Sequence, residues 1–149
     1  MGARGMGLDE IAEFAARAHR GQVDKAGRPY VEHLAAVAAG VRERGGDEAQ
    51  IAAAWLHDSV EDGAVTEEWL QRASLPAGTR DIVLAVTKRS GEQPADYAAR
   101  ILATPGALLV KEADLAHNAD PRRLAALDAA TRDRLTRKYA RMRELLGLR

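Results

Sequence analysis

The chain has 149 residues, 46% hydrophobic and 30% charged, which suits one compact domain rather than two. Lys plus Arg and Asp plus Glu both number 22, so net charge gives no general attraction to nucleic acid or to an acidic membrane. No apolar run reaches the roughly 18 residues of a membrane span, and the absence of cysteine excludes disulfides and thiolate metal sites.

The first seven residues lack the apolar segment of a secretory signal and read as a flexible N-terminus before a domain over 8–149, with a cytoplasmic location expected. Residues 8–20 show helical spacing in Leu8, Ile11, Ala12, Ala15 and Ala16, and His19 ends the pattern. Two glycines and Pro29 make 20–29 a loop that brings Lys25 and Arg28 close to the second helix. Pro29 opens that helix, with Tyr30, Val31, Leu34, Val37, Ala38 and Val41 on its apolar stripe and His33 among them, stopped by Gly45 and Gly46.

Asp47 caps a third helix expected from about 48 to 61, before Gly63. It opens with Ile51, three alanines, Trp55 and Leu56, then carries His57, Asp58, Glu61 and Asp62; at helical pitch His57 lies above Glu61 and Asp58 above Asp62. Thr66 caps a short helix to 73, and a fifth helix begins at Thr79, although its β-branched residues leave strand as the alternative. The sixth covers 95–103 with Tyr97, Ile101 and Leu102 inward. Thr104 and Pro105 resemble a cap and first-turn proline of a seventh, which ends in Asp114, His117 and Asn118. After Asp120 and Pro121, Asp128 caps a terminal helix through Leu135, Tyr139, Met142 and Leu145. The fold is expected to be all-α.

Burying three carboxylates beside an imidazole costs too much unless a positive charge balances them, and a bound cation does so most directly. His33, His57, Asp58 and Asp114 sit at apolar positions of three helices, well separated in sequence, as a site between packed helices requires. Two imidazoles and two carboxylates suit a divalent ion, Mn²⁺ first, with Fe²⁺, Zn²⁺ or Ni²⁺ as alternatives. Taken singly, His33 could be a hydrogen-bonded core histidine and Asp114 a cap or an arginine partner. The acidic run after Ala-Ala-Ala-Trp-Leu is harder to satisfy as a solvated face. Glu61 and Asp62 come one turn later, placed to orient a water or take its proton. Lys25, Arg28, Lys88, Arg89 and Lys111 are candidates to neutralise a phosphorylated substrate.

These residues resemble a family. His33, then His57-Asp58, then Asp114 is similar to the H…HD…D signature of HD-type metal-dependent phosphohydrolases. Five blocks, His19-Arg20-Gly21-Gln22, Lys25 to His33, Leu56 to Asp62, Val86-Thr87-Lys88, and Val110 to Asp114 with His117-Asn118, resemble the hydrolase domain of Rel/SpoT-type alarmone enzymes and the free-standing small alarmone hydrolases. The resemblance implies one Mn²⁺ held by His33, His57, Asp58 and Asp114, with Glu61 and Asp62 activating water against the 3′-pyrophosphate of ppGpp. It also implies that Lys25, Asn118, His117 and Lys88 bind the nucleotide.

The departures fall near the nucleotide. The family usually has Arg-Lys where this chain has Asp24-Lys25, and a basic residue after the last metal ligand where this chain has Leu115. On that argument Asp24→Arg improves guanine-nucleotide use. A second reading keeps the HD chemistry for another nucleotide or small phosphorylated metabolite, and a third is a non-catalytic module that senses a nucleotide or binds RNA. Residues 121–149 carry nine Arg or Lys against three acids, but no aromatic stacking set accompanies them, so nucleic acid is not expected as a partner. A homodimer is allowed by the apolar helix faces but not specified by them.

Overall fold

The structure, a computed structural model, describes residues 5–149. Among the described residues the chain forms nine helices and no strand, with one isolated bridge between Val23 and Pro29. The helices are α1 (Leu8–Ala18), α2 (Tyr30–Glu43), α3 (Glu48–Leu56), α4 (Glu67–Arg72), α5 (Thr79–Val86), α6 (Pro94–Ala103), α7 (Ala107–Asn118), α8 (Pro121–Ala125) and α9 (Ala129–Leu145). Part of the segment 1–7, expected to be flexible, lies outside the described residues; within its remainder the Met6 amide donates to Ser74 O at 2.8 Å.

Helix α3 is the axis of the bundle. Ile51, Ala52, Ala53, Ala54 and Leu56 are all buried, and the alanines keep it thin enough for α1, α2, α5 and α7 to pack around it. Its start is fixed by a reciprocal cap: Gln50 N donates to Asp47 Oδ1 at 2.9 Å, and Asp47 N to Gln50 Oε1 at 2.8 Å. The same Gln50 donates Nε2 to Gly106 O at 3.2 Å, tying the start of α3 to the start of α7.

The helix stops at Leu56, not near 61 as expected, and the chain continues through turns over 57–63. Side chains take over the last carbonyls. His57 Nδ1 donates to Ala54 O at 2.6 Å and Ser59 Oγ to Leu56 O at 2.6 Å, while Ser59 N reaches Leu56 O in a tighter i to i+3 bond. The stacking of His57 over Glu61 and Asp58 over Asp62 on one helix is therefore replaced by a turn.

Three other expectations are corrected. Thr104 closes α6 by donating Oγ1 to Arg100 O, and α7 is opened instead by Gly106 at φ 85°, where a Cβ would stand 3.0 Å from Ile82 Cδ1. Leu102 is 52% exposed, because the inward stripe of α6 is formed by Tyr97, Ala98 and Ile101, at helical spacing of three and four, and Leu102 falls beside it. The short helix α8 is additional: Asp120 accepts from Arg122 N, and Pro121 supplies a first-turn residue that needs no amide partner. Helix α9, capped by Asp128 through Thr131 N at 2.7 Å, packs on α6 and α7 with Leu135 and Met142 buried.

Candidate functional site

Three elements meet where their apolar faces end. His33 comes from α2, His57 and Asp58 from the turn after α3, and Asp114 from α7, and one donor atom of each lies within 4.8 Å of the others. His33 Nε2 and His57 Nε2 are 3.0 and 3.2 Å from Asp114 Oδ1. Asp58 Oδ2 lies 2.9 Å from His57 Nε2 and 3.7 Å from His33 Nε2. His33 and His57 are each 3% exposed, whereas the Asp58 side chain is 19% exposed, so the cluster is closed on the core side and open toward the Asp58 carboxylate.

The imidazoles are aimed by what their other nitrogen does. His57 Nδ1 is committed to the Ala54 carbonyl, which leaves Nε2 as the inward atom, and His33 Nδ1 lies 2.7 Å from His117 Nδ1. Two imidazole nitrogens and two carboxylates at this spacing fit a divalent ion with at least one position left for water. The protonation pattern of the protein alone points the same way. Burial disfavours the His57 imidazolium, yet Asp58 and Asp114 outweigh it and raise its pKa well above the ordinary value. Burial likewise opposes the Asp114 carboxylate, but Lys111, His57 and hydrogen bonds from both imidazoles hold it well below the usual range. The His57 ring thus lies between two carboxylates, the place a cation would take.

A cavity of about 270 Å³ opens onto this cluster, lined among others by Lys25, Glu61, Lys88, Lys111, Asn118 and Tyr97. Glu61 is anchored there by Lys88 N, which donates to its Oε1 at 2.9 Å. Asp62 is not among the lining residues; Gln22 Nε2 donates to its Oδ2 at 3.0 Å, and His19 Nδ1 in turn bonds Gln22 Oε1 at 2.8 Å. Burial first, and then the Asp58 charge, raise the Asp62 carboxyl above its ordinary value. Lys111 donates to Asp114 Oδ2 at 3.0 Å, and Asn118 Nδ2 to Asp114 Oδ1 at 3.1 Å.

Lys88 loses part of its proton affinity to burial and then to Lys138 and Lys111 nearby, and both Lys88 and Lys111 stand over the Tyr97 ring. His117 is placed behind His33, on a separate cavity, and burial, Arg123 and His33 lower its pKa to about 4, so the ring is neutral. Arg28 is paired with Glu32 at 2.7 Å, and Arg89 lines a different cavity beside α6.

Sequence reasoning missed several residues here. Tyr30, read only as core, donates its hydroxyl to Asp58 Oδ2; its position three residues before His33 was the available signal. Lys138 and Tyr139 reach the cavity from α9, and Arg123 from α8, and no spacing rule connects these to the His/Asp cluster. A second cavity of about 220 Å³, more apolar, adjoins the first and shares Lys25, Tyr30, Asn118, Arg123 and Tyr139 with it. Asp24 is a loop residue rather than an open acid. Its Oδ1 accepts from Ala26 N and Arg28 N, at 2.9 and 3.0 Å, and its Oδ2 pairs with Arg123 Nη2 at 2.9 Å.

Comparison with known proteins gives the same outline. The model of the HD domain family matches residues 12–100. A probable guanosine-3′,5′-bis(diphosphate) 3′-pyrophosphohydrolase of Synechocystis is 35% identical over 91% of this chain, which covers 19% of that protein. The human guanosine-3′,5′-bis(diphosphate) 3′-pyrophosphohydrolase MESH1 is 37% identical over 79% of this chain, which covers 70% of it. The chain thus spans about a fifth of the bacterial relative and most of the human one. A solved structure described as a metazoan orthologue of SpoT that hydrolyzes ppGpp superposes with a TM-score of 0.79 over 98% of this chain and 88% of that one. At 23% identity this likeness speaks for the fold.

Proposed function

The chain belongs to the HD domain family, and from that premise we propose that it is a metal-dependent phosphohydrolase whose substrate is ppGpp, cleaved at the 3′-pyrophosphate to GDP and pyrophosphate. The observation that carries this reading is the convergence of His33, His57, Asp58 and Asp114 within 4.8 Å at the floor of a cavity edged by cations. These four residues would hold the ion, Mn²⁺ in our reading, and the ion when bound would acidify a water and offset phosphate charge.

The protein's own groups do the rest. Glu61, fixed by the Lys88 amide, takes the proton of the attacking water, and Asp62, steadied by Gln22 outside the cavity lining, supports it from the same turn. Lys25, Lys88 and Lys111 neutralise the phosphates, with Lys138 joining them from α9. Asn118, held against Asp114, offers its amide toward the nucleotide, and the adjoining apolar cavity has room for the nucleoside. No helix of the described residues is long and apolar enough to cross a membrane.

The test is Mn²⁺-dependent release of pyrophosphate from ppGpp beside a panel of other nucleotides and phosphate esters, with Glu61→Gln as control. Pyrophosphate from ppGpp, lost in the control, sustains the proposal. A second reading, the same chemistry on a different nucleotide, is favoured by one observation: Asp24 is engaged by its own loop and by Arg123, so no arginine stands at that position to meet a guanine. Turnover of another panel member with ppGpp untouched would select it.

A further inference from the structure

Arg123 stands between the loop that carries Asp24 and the ring of His33. Its Nη2 donates to Asp24 Oδ2 at 2.9 Å, while Nη1 lies 2.9 Å from Asn118 Oδ1, 3.0 Å from His117 Nδ1 and 3.3 Å from His33 Nδ1. The Arg123 and Asp24 side chains are 24% and 9% exposed, so this is a largely enclosed ion pair joining residues 99 apart in sequence. The other Asp24 oxygen is held by two loop amides, which fixes the carboxylate and through it the guanidinium.

A guanidinium has donors and no acceptor. Two ring nitrogens face it, His117 Nδ1 at 3.0 Å and His33 Nδ1 at 3.3 Å, and the nearer, His117 Nδ1, is the better placed to present its lone pair. The 2.7 Å contact between the two Nδ1 atoms then carries its hydrogen on His33. With an ion in the cluster, a neutral His33 protonated on Nδ1 would turn its Nε2 lone pair to that ion in place of the hydrogen bond to Asp114, because Nε2 is the atom that faces Asp58 and Asp114. We propose that Asp24 and Arg123 act as a positioning pair, fixing the hydrogen bond from His33 to His117 and so holding His33 Nε2 as a metal-binding lone pair. The same Nη1 donates to Asn118 Oδ1 and turns the Asn118 amide nitrogen toward Asp114 Oδ1. One cation orients the partners of two of the four metal-binding residues. The acid at position 24 serves the metal centre from behind, and its role is separate from contact with a base. This inference rests on the metal-centre reading of the proposed function.

The test is Mn²⁺ affinity by calorimetry on the full chain for wild type, Arg123→Gln, Asp24→Asn and the double variant, with His57→Ala as control. Arg123→Gln and Asp24→Asn should each weaken Mn²⁺ binding, by about 10- to 100-fold for the arginine. The double variant should be no weaker than Arg123→Gln alone, since both act through one contact. Asp24→Asn retains an oxygen for the two loop amides, so it carries the test if Arg123→Gln fails to fold. In Zn²⁺-loaded wild type, imidazole ¹⁵N spectra should show His33 protonated on Nδ1 and His117 on Nε2, with His117 becoming a tautomer mixture in Arg123→Gln. Wild-type affinity in both single variants, additive losses in the double, or a His117 protonated on Nδ1 would overturn the proposal. Wild type without Mn²⁺ binding, or His57→Ala binding as tightly, would instead bring down the metal centre itself, and this inference with it.

Discussion

Removing the ammonium of Lys111 tests whether the carboxylates of the cluster need a cation. Lys111 Nζ lies 3.0 Å from Asp114 Oδ2, and the two side chains are 13% and 7% exposed. At that distance an effective dielectric constant of about 20 gives an attraction of roughly 5–6 kcal/mol, most of it spent against desolvation of the pair. Lys111→Met keeps the apolar stem and leaves Asp114 facing His33, His57 and Asn118 only. Breaking one side of a buried pair costs about 3–5 kcal/mol, and the His57 ring and the Asn118 amide, still in hydrogen-bond distance of Asp114, place the expected loss near the lower figure. At about 2–4 °C per kcal/mol for a domain of this size, Tm of the metal-free protein should fall by roughly 6–12 °C. The assay is thermal and urea unfolding by circular dichroism, in chelator and in millimolar Mn²⁺. Because the ion would supply the charge that the lysine supplied, Mn²⁺ should raise the Tm of the variant more than that of wild type. A variant within about 1 kcal/mol of wild type in chelator, or an equal Mn²⁺ shift in both, would refute the reasoning.

His57→Ala and Asp58→Ala should abolish Mn²⁺ binding in calorimetry along with activity, whereas Glu61→Gln should retain the ion and lower turnover by about 10²- to 10⁴-fold. Asp24→Arg should reduce activity and stability, the opposite of the gain argued from sequence, because it removes the acceptor of two loop amides and sets a second guanidinium beside Arg123; steady-state kinetics on guanine nucleotides and a melting curve check both signs. Burial opposes the Asp24 carboxylate, but hydrogen bonds from Arg28 N, Arg123 and Ala26 N prevail and hold its pKa below the ordinary 3.8. A depressed carboxyl stabilises the fold fully above its unfolded pKa and loses that contribution as pH falls through the folded value. The urea midpoint of wild type should therefore drop below about pH 4 more steeply than that of Asp24→Asn.

The helices were legible in the sequence because periodicity and caps are local properties. Asp47, Thr66 and Asp128 cap the helices they precede, and the ends of α2 and α7 fall where the apolar patterns stop. The clash between an apolar helix and the charges of His57, Asp58 and Asp114 was visible for the same reason, since composition alone says that such charges cannot be buried without a partner. The sequence thus determined an all-helical chain with four side chains, His33, His57, Asp58 and Asp114, at the ends of apolar segments, which the fold brings within 4.8 Å of one another. It could not say where α3 ends, because His57 and Ser59 stop it with side-chain bonds to Ala54 and Leu56 that compete closely with one more helical turn. Nor could it assign Tyr30, Arg123 or Lys138, whose roles depend on elements brought together from distant parts of the chain. Asp24 shows the limit most clearly: read alone it is a misplaced negative charge near a substrate, and only the packing of α8 against the loop makes it the anchor of a cation behind His33. Hydrogen-bond direction and charge pairing are decided by distances between groups that have no fixed separation in sequence, so the tertiary structure alone settles them.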